Sequence, residues 1–182
     1  MGLKKVPYKL IDRNENPEVY ELMDELIAAH HPDLASADAR IALAWRLGWK
    51  PSSGKLKLGM CRLAADIDAA LHGYDFIILL NSEVWKEFSD TQRRALLDHE
   101  LCHAGVCKDK EGEIKQDENS RAVFGLVKHD LEEFVCIVER YGCYLQDIEV
   151  FAKAALAKAD KPLLKAWDAG DFNAQPRPTA AA

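Results

Sequence analysis

His99, Glu100 and His103 form the pattern His-Glu-x-x-His, with Leu101 and Cys102 in the two free places. An α-helix turns about 100° per residue, so His99 and His103 stand one turn apart on one face, where two imidazole nitrogens can meet one cation. Zinc suits imidazole and lowers the pKa of a bound water to about 7. Glu100, one step around from His99, can take the proton as that water attacks a carbonyl, and then hand it to the leaving amine. These residues point to zinc-assisted hydrolysis, with peptide bonds as the leading substrate class.

A catalytic zinc needs three protein ligands and one open position. His129 is the first choice for the third, because it precedes Asp130, the expected N-cap of the next helix, and can project back toward the metal helix. Glu132 and Glu133 are the alternatives, since a carboxylate there would complete a His-His-Glu set. A fourth protein ligand, from Cys107, Glu132 or Glu133, would instead close the site and make the zinc structural, in a non-catalytic interaction domain. Hydrolysis of a non-peptide amide is a further alternative, because zinc and a glutamate do not define the acyl partner. Asp98 is expected to be an exposed helical aspartate, with orientation of a metal ligand as the alternative, and Cys102 to pack on the core side of the helix. His30 and His31, near a helix C-terminus, and His72, in a turn, are assigned no role.

Ser89 and Gln92 make a capping-box pattern, so the motif helix is expected from Asp90 to Ala104, with Gly105 as a left-handed C-terminal cap. Ahead of it, Phe76-Ile77-Ile78-Leu79-Leu80 is a short apolar run bounded by polar residues, the signature of a strand buried on both faces. The alternation of Lys55 to Cys61, after the turn Pro51-Ser52-Ser53-Gly54, suits a half-exposed strand. Asn16-Pro17 opens a helix reaching about His30, with Val19, Tyr20, Met23, Leu26 and Ile27 at helical spacing. The apolar segment from Ala39 to Trp49 fits either a helix or a strand.

Beyond the motif, a polar loop from Lys108 to Ser120 leads to a short strand within Ala122 to Val127. Asp130 and Glu133 repeat the capping pattern before a helix with Leu131, Phe134, Val135, Val138 and Tyr141 on its apolar face, ending at Gly142. Residues 145 to 159 read as one more amphipathic helix, and a short final one ends near Trp167. Residues 1–170 are expected to form one domain, and 171–182 a flexible tail.

The chain has 182 residues, 48% hydrophobic and 30% charged, which is globular composition with room for one core. A net charge of −6 argues against a broad electropositive surface and hence against tight binding to a nucleic-acid backbone. No apolar run is long enough to span a membrane, and five cysteines without CxxC spacing read as reduced thiols, so a cytoplasmic protein is expected.

Leu97-Asp98-His99-Glu100-Leu101-Cys102-His103-Ala104-Gly105-Val106, with His129-Asp130-Leu131-Glu132-Glu133-Phe134 downstream and His72-Gly73-Tyr74-Asp75-Phe76 upstream, resembles the phage metallopeptidase family. The likeness spans roughly residues 40 to 143 and extends to the wider SprT-like zincins, in which a third histidine opens the helix after the motif. It implies zinc on His99, His103 and His129, Glu100 as catalytic base, and a zincin-like α+β fold. In that fold a small mixed sheet packs on the motif helix, and further helices lie at both chain ends. It also implies a peptide or protein substrate, of phage or host, lying along an edge strand above the metal helix, for which Asp75 to Asn81 is the candidate. Some SprT-like proteases act on proteins crosslinked to DNA, so DNA association is a further implication, although this chain has no basic stripe or zinc ribbon.

Overall fold

A computed structural model of the chain describes residues 7–49, 56–131, 138, 140–143 and 145–158. Among them it is a mixed α+β structure with six strands and six helices. The chain divides into two compact units, Met1–Lys128 and His129–Ala182.

The first unit is built on a four-stranded mixed sheet. Its strands are β1 (Tyr8–Leu10), β2 (Ile41–Arg46), β3 (Gly59–Leu63) and β4 (Phe76–Asn81), in the spatial order β1-β2-β4-β3. β2 and β4 run parallel, with Leu43 opposite Ile78, whereas β1 pairs antiparallel with β2 and β3 antiparallel with β4. β4 is thus interior and nearly wholly buried, as its unbroken apolar run predicts. The undecided segment is β2, whose first four residues are buried.

Two helices supply most of the apolar cover. α1 (Pro17–His30) has Pro17 in its first turn and buries Val19, Tyr20, Met23 and Leu26. The short α2 (Pro32–Ser36) follows at once, a helix the sequence did not announce. α3 (Asp66–His72) and α4 (Ser82–Glu87) lie on either side of β4 in sequence. Buried Asn81 caps α4, its side-chain oxygen accepting from the N–H groups of Glu83 and Val84, while its amide donates to the Lys57 carbonyl at 2.9 Å.

The motif helix is α5 (Asp90–Cys102). Its predicted capping box is present: Gln92 N–H donates to Ser89 Oγ at 3.4 Å and Ser89 N–H to Gln92 Oε1 at 2.9 Å. Leu97 and Leu101 have no exposed surface and join Leu26, Leu43, Ile78 and Leu80 in one core. The expected C-terminus is corrected. The helix ends at Cys102, and Gly105 lies in β5 (Ala104–Val106), which pairs with β6 (Phe124–Leu126). Glycine is required there by close approach and not by a left-handed turn, since a Cβ on Gly105 would lie 2.7 Å from Val127 Cγ2 and 3.1 Å from the Gly125 carbonyl oxygen.

In the second unit, α6 (Gln146–Lys158) is the amphipathic helix expected from residue 145, with Ile148 buried. The predicted helix after Asp130 falls mostly outside the described residues, as do Glu132, Glu133, Cys136, the short final helix and the tail. No helix among the described residues is long and apolar enough to cross a membrane.

Candidate metal centre

α5 presents Glu100 to the interior and the histidines outward, because the leucines at 96, 97 and 101 fix which face meets the sheet. The His99 and His103 rings meet nearly edge to face, 5.1 Å between centroids. The strand after the polar loop returns to this point: Val127 N–H donates to the His103 carbonyl at 2.9 Å, and His103 Nδ1 donates to the Val127 carbonyl at 2.7 Å. That bond fixes the imidazole's orientation and leaves Nε2 as its lone-pair donor, the usual arrangement of a metal-binding histidine. Two residues further on comes His129, the expected third ligand, whose side chain is exposed.

These residues fit a zinc ion. Two imidazoles one helical turn apart are favoured donors for zinc, and a third imidazole would complete a preferred donor set. His99 is exposed and His103 half-buried, so this face of α5 is open to solvent.

Glu100 is only 4% exposed. Its carboxyl accepts the backbone N–H of Cys61 and lies against Gly59, where a Cβ would come within 2.8 Å of Glu100 Cδ. Burial raises its pKa above the ordinary 4.5, opposed by the nearby His103, the Cys61 hydrogen bond and Lys57. The Cys61 thiol beside it is pushed up to about 12, chiefly by burial and further by the Glu100 charge, so it remains a neutral thiol.

Gly59, Cys61 and Lys57 are parts of the site that motif reasoning missed. The signal was Gly59 itself, since a glycine inside a strand pattern often marks close approach of another group. The substrate-strand expectation is also corrected. β4 lies between β2 and β3, whereas β3 is an edge strand, the one in contact with α5. Asn81 N–H donates to the Leu58 carbonyl and Ala64 N–H to that of Asp75, so the ladder turns the backbone groups of Gly59, Cys61 and Leu63 away from β4. Between this edge and α5 runs a groove of about 460 Å³, walled by Leu56, Leu58, Phe88 and Leu96 and reaching His99 and Glu100.

Two further expectations change. Cys102 is exposed, because Leu97 and Leu101 occupy the inward face and Cys102 is a step beyond it. Asp98 is half-buried and takes a hydrogen bond from His31 Nε2 at 2.7 Å.

The family model described as "Putative phage metallopeptidase" matches residues 11–156. None of the curated proteins and none of the solved structures matches the chain. A family name of this kind places the chain, at a coarse level, among metal-dependent hydrolases of the peptidase class. With a match running from the end of β1 into α6, the chain belongs to the phage metallopeptidase family.

Proposed function

We propose that the chain is a zinc metallopeptidase of the zincin type, with His99, His103 and His129 as the zinc ligands and Glu100 as the general base. The observation that carries the reading is the buried Glu100 carboxyl, held between an edge strand and the metal helix one residue from His99. Zinc bound there supplies Lewis acidity, activating a water for attack and polarising the scissile carbonyl.

The chain's own residues do the rest. Gly59 leaves room for the Glu100 carboxyl beside the strand, and the Cys61 N–H fixes its orientation. Held there, one carboxyl oxygen receives the water proton and later delivers it to the departing amine nitrogen. The outward backbone groups of Gly59 and Leu63 and the Cys61 carbonyl suit an extended peptide, which would add as a further strand around the Cys61 N–H that Glu100 occupies. The apolar walls of the groove suit a large apolar side chain next to the scissile bond and exclude water from the proton path.

The test is Glu100→Gln, compared with the parent on a digest of mixed peptides read by mass spectrometry. The variant keeps its zinc, because Glu100 is not a ligand, and loses cleavage by about 10²–10⁴-fold. Cleavage at the parental rate would exclude Glu100 as the base. Cleavage sites without an apolar residue on either side would exclude the groove as the specificity subsite.

A further inference from the structure

Asp98 and Cys102 repeat the spacing of His99 and His103 one residue earlier on α5, so they share the neighbouring face of the helix, about 100° around. His31, at the junction of α1 and α2, is brought to that face from far away in the chain. One donor atom from each of His31, Asp98 and Cys102 lies within 4.8 Å of the others, with His31 and Asp98 half-buried and Cys102 exposed. Sequence alone assigns His31 no role, Cys102 a packing role, and Asp98 an exposed position or the orientation of a metal ligand. None of the three takes part in the proposed reaction.

We infer that His31, Asp98 and Cys102 form a second site for a zinc-like divalent cation, distinct in all its residues from the histidine group. The donor chemistry selects the class of ion. An imidazole nitrogen, a carboxylate oxygen and a thiolate sulfur together suit zinc or cobalt, whereas magnesium and calcium take oxygen donors. The spacing suits it as well. Tetrahedral ligation places nitrogen and oxygen about 3.3 Å apart and each about 3.6 Å from sulfur. The 2.7 Å contact of His31 Nε2 with Asp98 Oδ1 would open by roughly half an ångström as the cation replaces the shared proton, and the thiol would close by at most about 1.2 Å.

The thiol proton and the displaced imidazole proton leave to solvent, giving a thiolate and a neutral imidazole as ligands. A cation held by these ligands ties the end of α1 to the half of α5 that carries His99, Glu100 and His103, and so steadies the reacting helix from its other side.

The experiment uses the full chain, produced in cells grown on cobalt in place of zinc, with bound metal counted by elemental analysis. A thiolate ligand to cobalt gives a near-ultraviolet charge-transfer band that imidazole ligands do not give. The parent is expected to show the band and to hold one more cobalt than Cys102→Ser, which loses it. Cys102 is exposed, so this substitution leaves the core intact, and Cys102→Ala provides a second variant with the same expected loss. Replacing both His99 and His103 with Ala removes the other cobalt and keeps the band, which separates this site from the proposed catalytic one. Absence of the band from the parent, or its survival in Cys102→Ser, overturns the assignment.

Discussion

Gly59→Ala should disable the site while leaving the fold and the metal in place. The Gly59 backbone is extended, so alanine meets no conformational objection there. The added methyl would fall 2.8 Å from Glu100 Cδ and 2.9 Å from Cγ. Carbon atoms in contact sit about 3.5–4.0 Å apart, so the glutamate must retreat by roughly 0.6–1.2 Å. A misplacement of about 1 Å in a reacting group costs on the order of 100-fold in rate, or about 2.7 kcal/mol of barrier. Overpacking costs about 1–3 kcal/mol of stability, and the stiffer unfolded chain returns about 0.4–1 kcal/mol, which leaves a net loss between about 0 and 2.5 kcal/mol. The measurements are kcat/KM on a peptide the parent cleaves, zinc content, and urea unfolding. The expected pattern is a fall of about 100-fold in kcat/KM with zinc unchanged and a modest loss of stability. A variant within threefold of the parent (about 0.65 kcal/mol) would refute the claim that this contact positions the base.

Three further perturbations address the supports of the site. Glu100→Gln should stabilise the metal-free chain at neutral pH: burial raises the folded pKa above 4.5, so between that value and the raised one the folded state binds more protons than the unfolded. The parent therefore loses stability as pH rises through this interval, and the melting temperatures of parent and variant should converge below it. An equal difference at pH 4 and pH 7 would show that ionisation of Glu100 is not its source. Leu101→Ala, at a side chain with no exposed surface, should cost about 2–5 kcal/mol in denaturant unfolding. Asn81→Ala removes the α4 cap and the bond to the Lys57 carbonyl, and should cost about 1–3 kcal/mol while raising KM more than it lowers kcat, since Lys57 borders the groove.

How much of this was legible follows from where each signal resides. The α5 start was readable because a capping box lies within four residues, and β4 because five consecutive large apolar side chains bounded by polar ones have few other uses. Ile41 to Arg46 was not, because a strand buried on both faces erases the alternation that would identify it. β3 was placed early: the alternation begins at Lys55, yet the strand starts only at Gly59, opposite Leu80. Gly105 misled because a glycine after a helix can serve as a left-handed cap or admit a close backbone approach, and only the return of β6 decides between them. His99, Glu100 and His103 needed nothing beyond a four-residue helical repeat. The contact of His31 with Asp98, sixty-seven residues apart, and the choice of β3 as the sheet edge depend on topology that no local pattern carries.

The arrangement of α5 also explains why the proposed base and the proposed ligands take opposite surroundings on one helix. Metal ligands must reach a cation that exchanges with solvent and substrate, and the outward turn of His99 and His103 meets that need. A base, by contrast, works best with its pKa lifted toward the working pH, which for a carboxylate requires withdrawal from water. Adjacent positions on a helix differ by about 100°, so a glutamate directly after an outward histidine falls at the border of the buried face. There it can be covered by a strand while its end still borders the groove. The burial of a carboxylate costs stability, and the neighbouring Leu96, Leu97 and Leu101, all buried on the same helix, supply the apolar contact that offsets it. Moving the glutamate one position toward the C-terminus would place it fully in the core, and one toward the N-terminus would place it among the ligands. The order histidine then glutamate is therefore fixed by the geometry of the helix against the sheet as much as by the reaction.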